Sequence, residues 1–69
     1  MLTAGTKVRD RYQHSETHVI VRKTKAQRAS DVRYFGSEAK ADQWYRVRSD
    51  VSGGIVMMHA DMMVVRNEA

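Results

Sequence analysis

The chain contains no cysteine and no proline, one phenylalanine and one tryptophan among 69 residues, and no long apolar run. Without cysteine there is neither a disulfide nor a thiolate metal ligand, which removes two of the usual supplements to a small core. The lack also agrees with a reducing compartment. Without proline, a rigid linker or a Pro-rich ligand segment is excluded. No segment approaches the roughly 18 consecutive apolar residues of a membrane-spanning helix. The opening Met1-Leu2-Thr3-Ala4-Gly5-Thr6-Lys7 has no apolar stretch of signal-peptide length. A soluble, cytoplasmic protein with no membrane partner is the expectation.

What is present reads as globular. At 42% hydrophobic and 29% charged residues, the composition lies outside the range of disordered chains. There is room for a single domain over residues 1–69, without internal repeats. A chain of this size buries only about 60% of the surface that its unfolded form exposes. With disulfides and thiolate metals excluded, self-association into a homo-oligomer is the expected source of further stability.

Charge is distributed unevenly. Residues 1–35 hold Lys7, Arg9, Arg11, Arg22, Lys23, Lys25, Arg28 and Arg33 against only Asp10, Glu16 and Asp31, whereas residues 36–69 are slightly acidic. An anionic partner is implied if the fold gathers these bases on one face.

Strand signals dominate. Thr6 to Tyr12 alternates, with Val8 and Tyr12 on one side and Lys7, Arg9 and Arg11 on the other, although Asp10 falls on the apolar side. Thr17 to Lys23 contains three consecutive β-branched residues, Val19-Ile20-Val21, which favour the pleated backbone. Gln13-His14-Ser15-Glu16 reads as the loop between these two strands. Thr24 to Asp31 has helix formers but no apolar face, which reads as a solvated loop or a single frayed turn. Val32-Arg33-Tyr34-Phe35 reads as a short strand ending at Gly36. Ser37 to Gln43 is either a helical turn capped by Ser37 or a polar loop.

The last third is the most informative. Trp44-Tyr45-Arg46-Val47-Arg48, the turn Ser49-Asp50-Val51-Ser52-Gly53-Gly54, and Ile55-Val56-Met57-Met58-His59-Ala60-Asp61-Met62-Met63-Val64-Val65-Arg66 read as strand, turn, strand, tight turn and closing strand. Five to six short strands in one small domain predict an all-β barrel, because closing a sheet removes its edges.

This segment resembles the ending of bacterial Src-homology-3-like barrels, in which a Trp-Tyr-x-Val-Arg strand, a Gly turn and a His-Ala turn close the barrel. The resemblance implies a small SH3-like barrel. Cell-wall-targeting members of that family have an aromatic residue before the His, where Met58 stands here, so no ligand residues are carried over. Gly5-Thr6-Lys7-Val8-Arg9 with the later strands is also similar to the plasmid-type dihydrofolate reductases. Their functional Val-Gln-Ile-Tyr is replaced by Val56-Met57-Met58-His59, and the resemblance brings no reductase residues with it.

No residues form a catalytic signature. His59 and Asp61 flank a turn, where Asp61 is expected to cap backbone N–H groups and His59 to be half-buried. His14 and His18 have a spacing that suits zinc only on a helix, and a loop running into a strand is expected there. Neither a metal site nor a cofactor is expected, and the protein is read as a non-enzyme.

Two binding surfaces remain. The bases Lys7, Arg9, Arg11, Arg22, Lys23, Arg46 and Arg48, with Trp44, Tyr34 or Tyr12 to stack a base, form a candidate nucleic-acid site. The cluster Met57, Met58, Met62 and Met63 forms a candidate interface for another protein or a second copy. Strand alternation sends about half of these four outward. The size and Arg-rich style are those of a small accessory protein of a phage or mobile element.

Overall fold

A computed structural model describes residues 2–12 and 16–65. The predicted loop at Gln13-His14-Ser15, the first member of the His14–His18 pair and the end of the closing segment at Arg66 lie outside the described residues. The elements in chain order are β1 (Lys7–Asp10), β2 (Thr17–Val21), α1 (Lys25–Phe35), α2 (Glu38–Ala41), β3 (Trp44–Ser49), β4 (Ile55–His59), a 3₁₀ turn (Ala60–Met62) and β5 (Met63–Val65). The five strands form one sheet in the order β4-β3-β2-β1-β5, every neighbouring pair antiparallel. The fold is small and mostly β, a single five-stranded antiparallel sheet among the described residues, consistent with the all-β, barrel-like class expected from the sequence.

The register explains which side chains enter the core. Val8 faces His18, which faces Ser49, and Ile20 faces Val47, which faces Val56. Tyr45 faces Met58, and Asp10 faces Met63. Antiparallel partners share a face, so all of these point to the concave side. There Val8, Ile20, Val47, Met58 and Met63 form the buried cluster, with Leu2, Tyr45 and Met62 packed partly against it.

Turn chemistry sets the connections. Between β3 and β4 the Ser49 hydroxyl accepts from the N–H groups of Val51 and Ser52, at 3.1 and 3.2 Å, and Gly53 takes φ +73°. A side chain at Gly53 would be strained. After β4, His59 Nδ1 accepts from Asp61 N at 3.0 Å and fixes the 3₁₀ turn. This reverses the expected roles, since the imidazole is the cap and Asp61 supplies the N–H. The turn carries β5 across to β1, where Arg11 N donates to Met62 O.

The middle of the chain corrects two expectations. Thr24 to Asp31 is not a loop, and Val32-Arg33-Tyr34-Phe35 is not a strand: Thr24 caps α1 and the rest lies within it. Its start is a capping box, in which Gln27 N donates to Thr24 Oγ1 (3.1 Å) and Thr24 N donates to Gln27 Oε1 (2.9 Å). Its end is Gly36 at φ +91°, whose N–H bonds to Val32 O. The helix forms without an apolar stripe because an ion pair, rather than hydrophobic burial, fastens it to the sheet. The predicted helical turn after it is present, with Ser37 Oγ accepting from Lys40 N. No helix among the described residues is long and apolar enough to cross a membrane.

Among the described residues, no further strand lies beside either sheet edge, β4 or β5. Val56 shares the concave row of Ile20 and Val47 yet is 53% exposed, because no described strand lies beyond it.

The parity of the methionine pair is directly testable. Met58→Ala is expected to destabilise by about 2–5 kcal/mol, as a buried truncation. Met57→Ala, one residue away on the other face, is expected to change stability by about 0.5 kcal/mol or less. Urea denaturation of both variants checks the pairing, and similar losses for the two would contradict the register.

Candidate nucleic-acid interface

The convex face of the sheet carries the residues of opposite parity. One cross-strand row runs Lys7, Val19, Arg48, Ile55; a second holds Arg9 and Thr17; a third runs Val21, Arg46, Met57; Trp44 and His59 follow. Lys7, Arg9, Arg46 and Arg48 therefore share one face, and none of the strand residues on that face is acidic. The two carboxylates nearest these strands are turned inward. Asp10 is in register with buried Met63 and accepts from Tyr12 N at 2.8 Å, and Glu16 accepts from the Ser49 hydroxyl.

The bases are not equivalent. Asp31, 4% exposed, receives both terminal nitrogens of Arg46, at 2.8 and 3.1 Å, and Lys23 Nζ at 3.0 Å. Lys23 also donates to Ala41 O. Arg46 and Lys23 thus spend their charge inside the fold, holding α1 against the sheet. Arg9, Arg11, Arg22 and Arg48 have no ion pair among the described residues. Arg48 is exposed on the convex face, and Arg9 is half-buried with its Nε shielded and unpartnered. Arg11 and Arg22 are exposed just past the ends of β1 and β2.

The aromatic residues divide as well. Trp44 is half-buried, stacked on Phe35 with ring centres 5.2 Å apart and 8° between planes, and edge-on to His59 at 5.0 Å. Tyr12 and Tyr34 are 75% and 84% exposed. Of the four methionines, Met58 and Met63 are core, Met62 is half-buried and only Met57 is exposed on the convex face. Sequence reasoning missed Asp31 and Phe35. The Thr24/Gln27 capping signal with Gly36 would have placed both, four residues apart, on one helix face.

The remaining polar clusters make hydrogen bonds within the fold. His59 Nδ1 accepts a backbone N–H while Nε2 faces Gln43 Oε1 at 3.1 Å, an arrangement that places the proton on Nε2 and leaves Nδ1 none to share with Asp61. On the concave side, His18 Nε2 lies 3.9 Å from Glu16, and the Ser49 proton goes to Glu16 rather than to an imidazole. Although His18 and Ser49 are cross-strand partners, no serine–histidine hydrogen bond exists among the described residues to activate a nucleophile. No group of three or more His, Asp or Glu side chains among them is placed to hold a metal ion.

Comparison with known proteins finds no family model, no curated protein and no solved structure that matches this chain. The fold and the charge arrangement therefore carry the functional argument.

The ion cluster has a pH signature. Hydrogen bonds from Arg46 hold the Asp31 carboxyl below its ordinary value of 3.8; burial opposes this, and Lys23 adds to the lowering. A depressed carboxyl contributes stability that is fully present well above pH 3.8 and is lost as pH falls from there through the folded-state value. Asp31→Asn is expected to cost roughly 1–3 kcal/mol at neutral pH, since it leaves two half-buried cations unpaired. It should also flatten the acid limb of stability, as measured by urea unfolding between pH 7 and 2. An unchanged acid limb would show that Asp31 is not the group responsible.

Proposed function

We propose that the chain is a non-enzymatic binding module that takes nucleic acid on the convex face of its sheet. The supporting observation is the sorting of charge by strand parity: Lys7 and Arg9 on β1 and Arg48 on β3, with β2 between them, lie on a face whose strand residues include no acid. Strand spacing puts Lys7 and Arg48 roughly 10 Å apart, and Lys7 and Arg9 roughly 7 Å. A flexible phosphate backbone can follow such a track. Arg11 extends it at the strand end, and exposed Tyr12 offers a ring beside it. The binding is electrostatic at base, so it releases condensed counterions.

Fluorescence anisotropy with single- and double-stranded oligonucleotides across a salt series tests this reading. Affinity is expected to fall steeply with salt. Arg9→Ala combined with Arg48→Ala should flatten the log–log slope by about 1.4–1.8 units, at roughly 0.7 per lost contact for single strands and 0.9 for duplex. Arg46→Ala should instead lower stability, because its charge is committed to Asp31. Absence of binding at tens of micromolar protein and low salt would remove the proposal.

The open edge of β4 favours a second interaction, self-association. Ile55, Val56 and Met57 are all exposed, and the strand Ile55-Val56-Met57-Met58-His59 carries no lysine, carboxylate or proline. Edge strands that stay monomeric usually carry such protection. We propose that a second copy pairs along this edge, with Met57 the one methionine of the cluster that contributes from the convex face. Sedimentation at micromolar concentration is expected to show a species larger than a monomer, and Ile55→Lys should shift it to monomer. A monomeric parent chain would refute this.

A further inference from the structure

Between α1 and the convex face of β3 and β4 lies a cleft of about 480 Å³, within the roughly 300–1,000 Å³ typical of small-ligand sites. It exists because α1 reaches this part of the sheet through two side-chain pairs, Asp31 with Arg46 and Phe35 with Trp44, rather than through a flush apolar stripe. Its rims are Tyr34, 84% exposed, and Met57, 41% exposed, and its floor is the Phe35–Trp44 stack. At the polar end are the Arg46–Asp31 pair and the hydroxyl of Ser30, which has no partner among the described residues. Two large apolar side chains are left in water on opposite rims of one aromatic-floored slot.

The cleft adjoins the basic face. Arg46 and Arg48 alternate on β3, and Met57 lies opposite Arg46, one row from Arg48 and Lys7. A strand with a phosphate on Arg48 therefore passes the mouth of the cleft.

We infer that this cleft receives a single unstacked nucleobase of a strand whose phosphates lie on Lys7, Arg9 and Arg48. The inference rests on the nucleic-acid reading and adds the class of ligand, single-stranded rather than duplex. A flat aromatic ring fits a slot with an aromatic floor and a thioether rim, and stacking of this kind accepts any base. Its edge meets hydrogen-bonding groups at Ser30, Arg46 and Asp31. Bases in a duplex are paired and stacked and cannot enter.

Trp44 is the only tryptophan in the chain and stands in the wall of this cleft, so tryptophan fluorescence reports on that one residue and its surroundings. The probes are a single-stranded oligonucleotide, an abasic strand of equal length and the matched duplex, each also followed by anisotropy. The expected result is that the single strand perturbs Trp44 emission and the abasic strand does not. Tyr34→Ala should weaken single-strand binding by roughly tenfold without altering the salt slope, while Tyr34→Phe restores it. Tyr34 is exposed, so neither variant threatens the fold. Salt-sensitive binding with silent Trp44 emission and no effect of Tyr34→Ala would overturn the cleft while leaving the basic face standing. Equal perturbation of Trp44 by the abasic strand would also overturn the cleft alone. Failure of every probe to bind by anisotropy would overturn both.

Discussion

The contact of Asp31 with Arg46 and Lys23 organises more of this molecule than any apolar contact outside the core. Helix α1 presents no hydrophobic stripe, and a helix of 11 residues is marginal by itself in water. Its place on the sheet follows from one nearly buried carboxylate shared by two cations, supplemented by the Phe35–Trp44 stack. Because the attachment is made by these side-chain pairs rather than by a flush apolar stripe, a cleft is left between helix and sheet. Because it consumes Arg46 and Lys23, it also decides which bases remain for a partner. Such a cluster fixes geometry as well as contributing stability, a distinction that matters because a well-packed apolar group can stabilise equally.

The core is correspondingly thin. Among the described residues five form the buried cluster, and of those five only Val8 and Val47 are sealed from solvent entirely. Among the described residues the sheet ends in two strands paired on one side only, and Val56 and Val65 on the concave rows stay half-exposed. Open edges with β-branched residues and no protective charge are the feature of this fold that a second chain can complete. The shortage of core and the availability of edges are two aspects of the same small size.

Strand parity links fold to charge. A sheet has two faces, and every second residue goes to each, so Lys7, Arg9, Arg46 and Arg48 are placed together once the register puts β1, β2 and β3 side by side. The same alternation turns Asp10 inward. The net charge of +4 is modest, but it is unevenly presented, and the acid-free convex strands concentrate it. Carboxylates used in the interior at Asp31 and Glu16 leave a surface more basic than composition alone indicates.

Local signals are legible in the sequence. The β-branched run at Val19-Ile20-Val21, the Trp44 strand, the Gly53 turn, the Ser37 cap and the opposite faces of Met57 and Met58 all depend on residues within a few positions of one another. Helix α1 escapes such a reading although its caps are local, because the absence of an apolar face outweighs the Thr24–Gln27 box and Gly36. The candidate site is only half legible. That the bases lie at alternate positions is a property of the sequence, whereas their common face depends on the register between strands. Most distant of all is the fate of Arg46: its partner lies fifteen residues away, and six further acids occur among the described residues. Periodicity follows from covalent geometry and is carried by each segment alone, but the choice of one carboxylate among many is made by the folded backbone, which brings a single one within 3 Å and withdraws it from water.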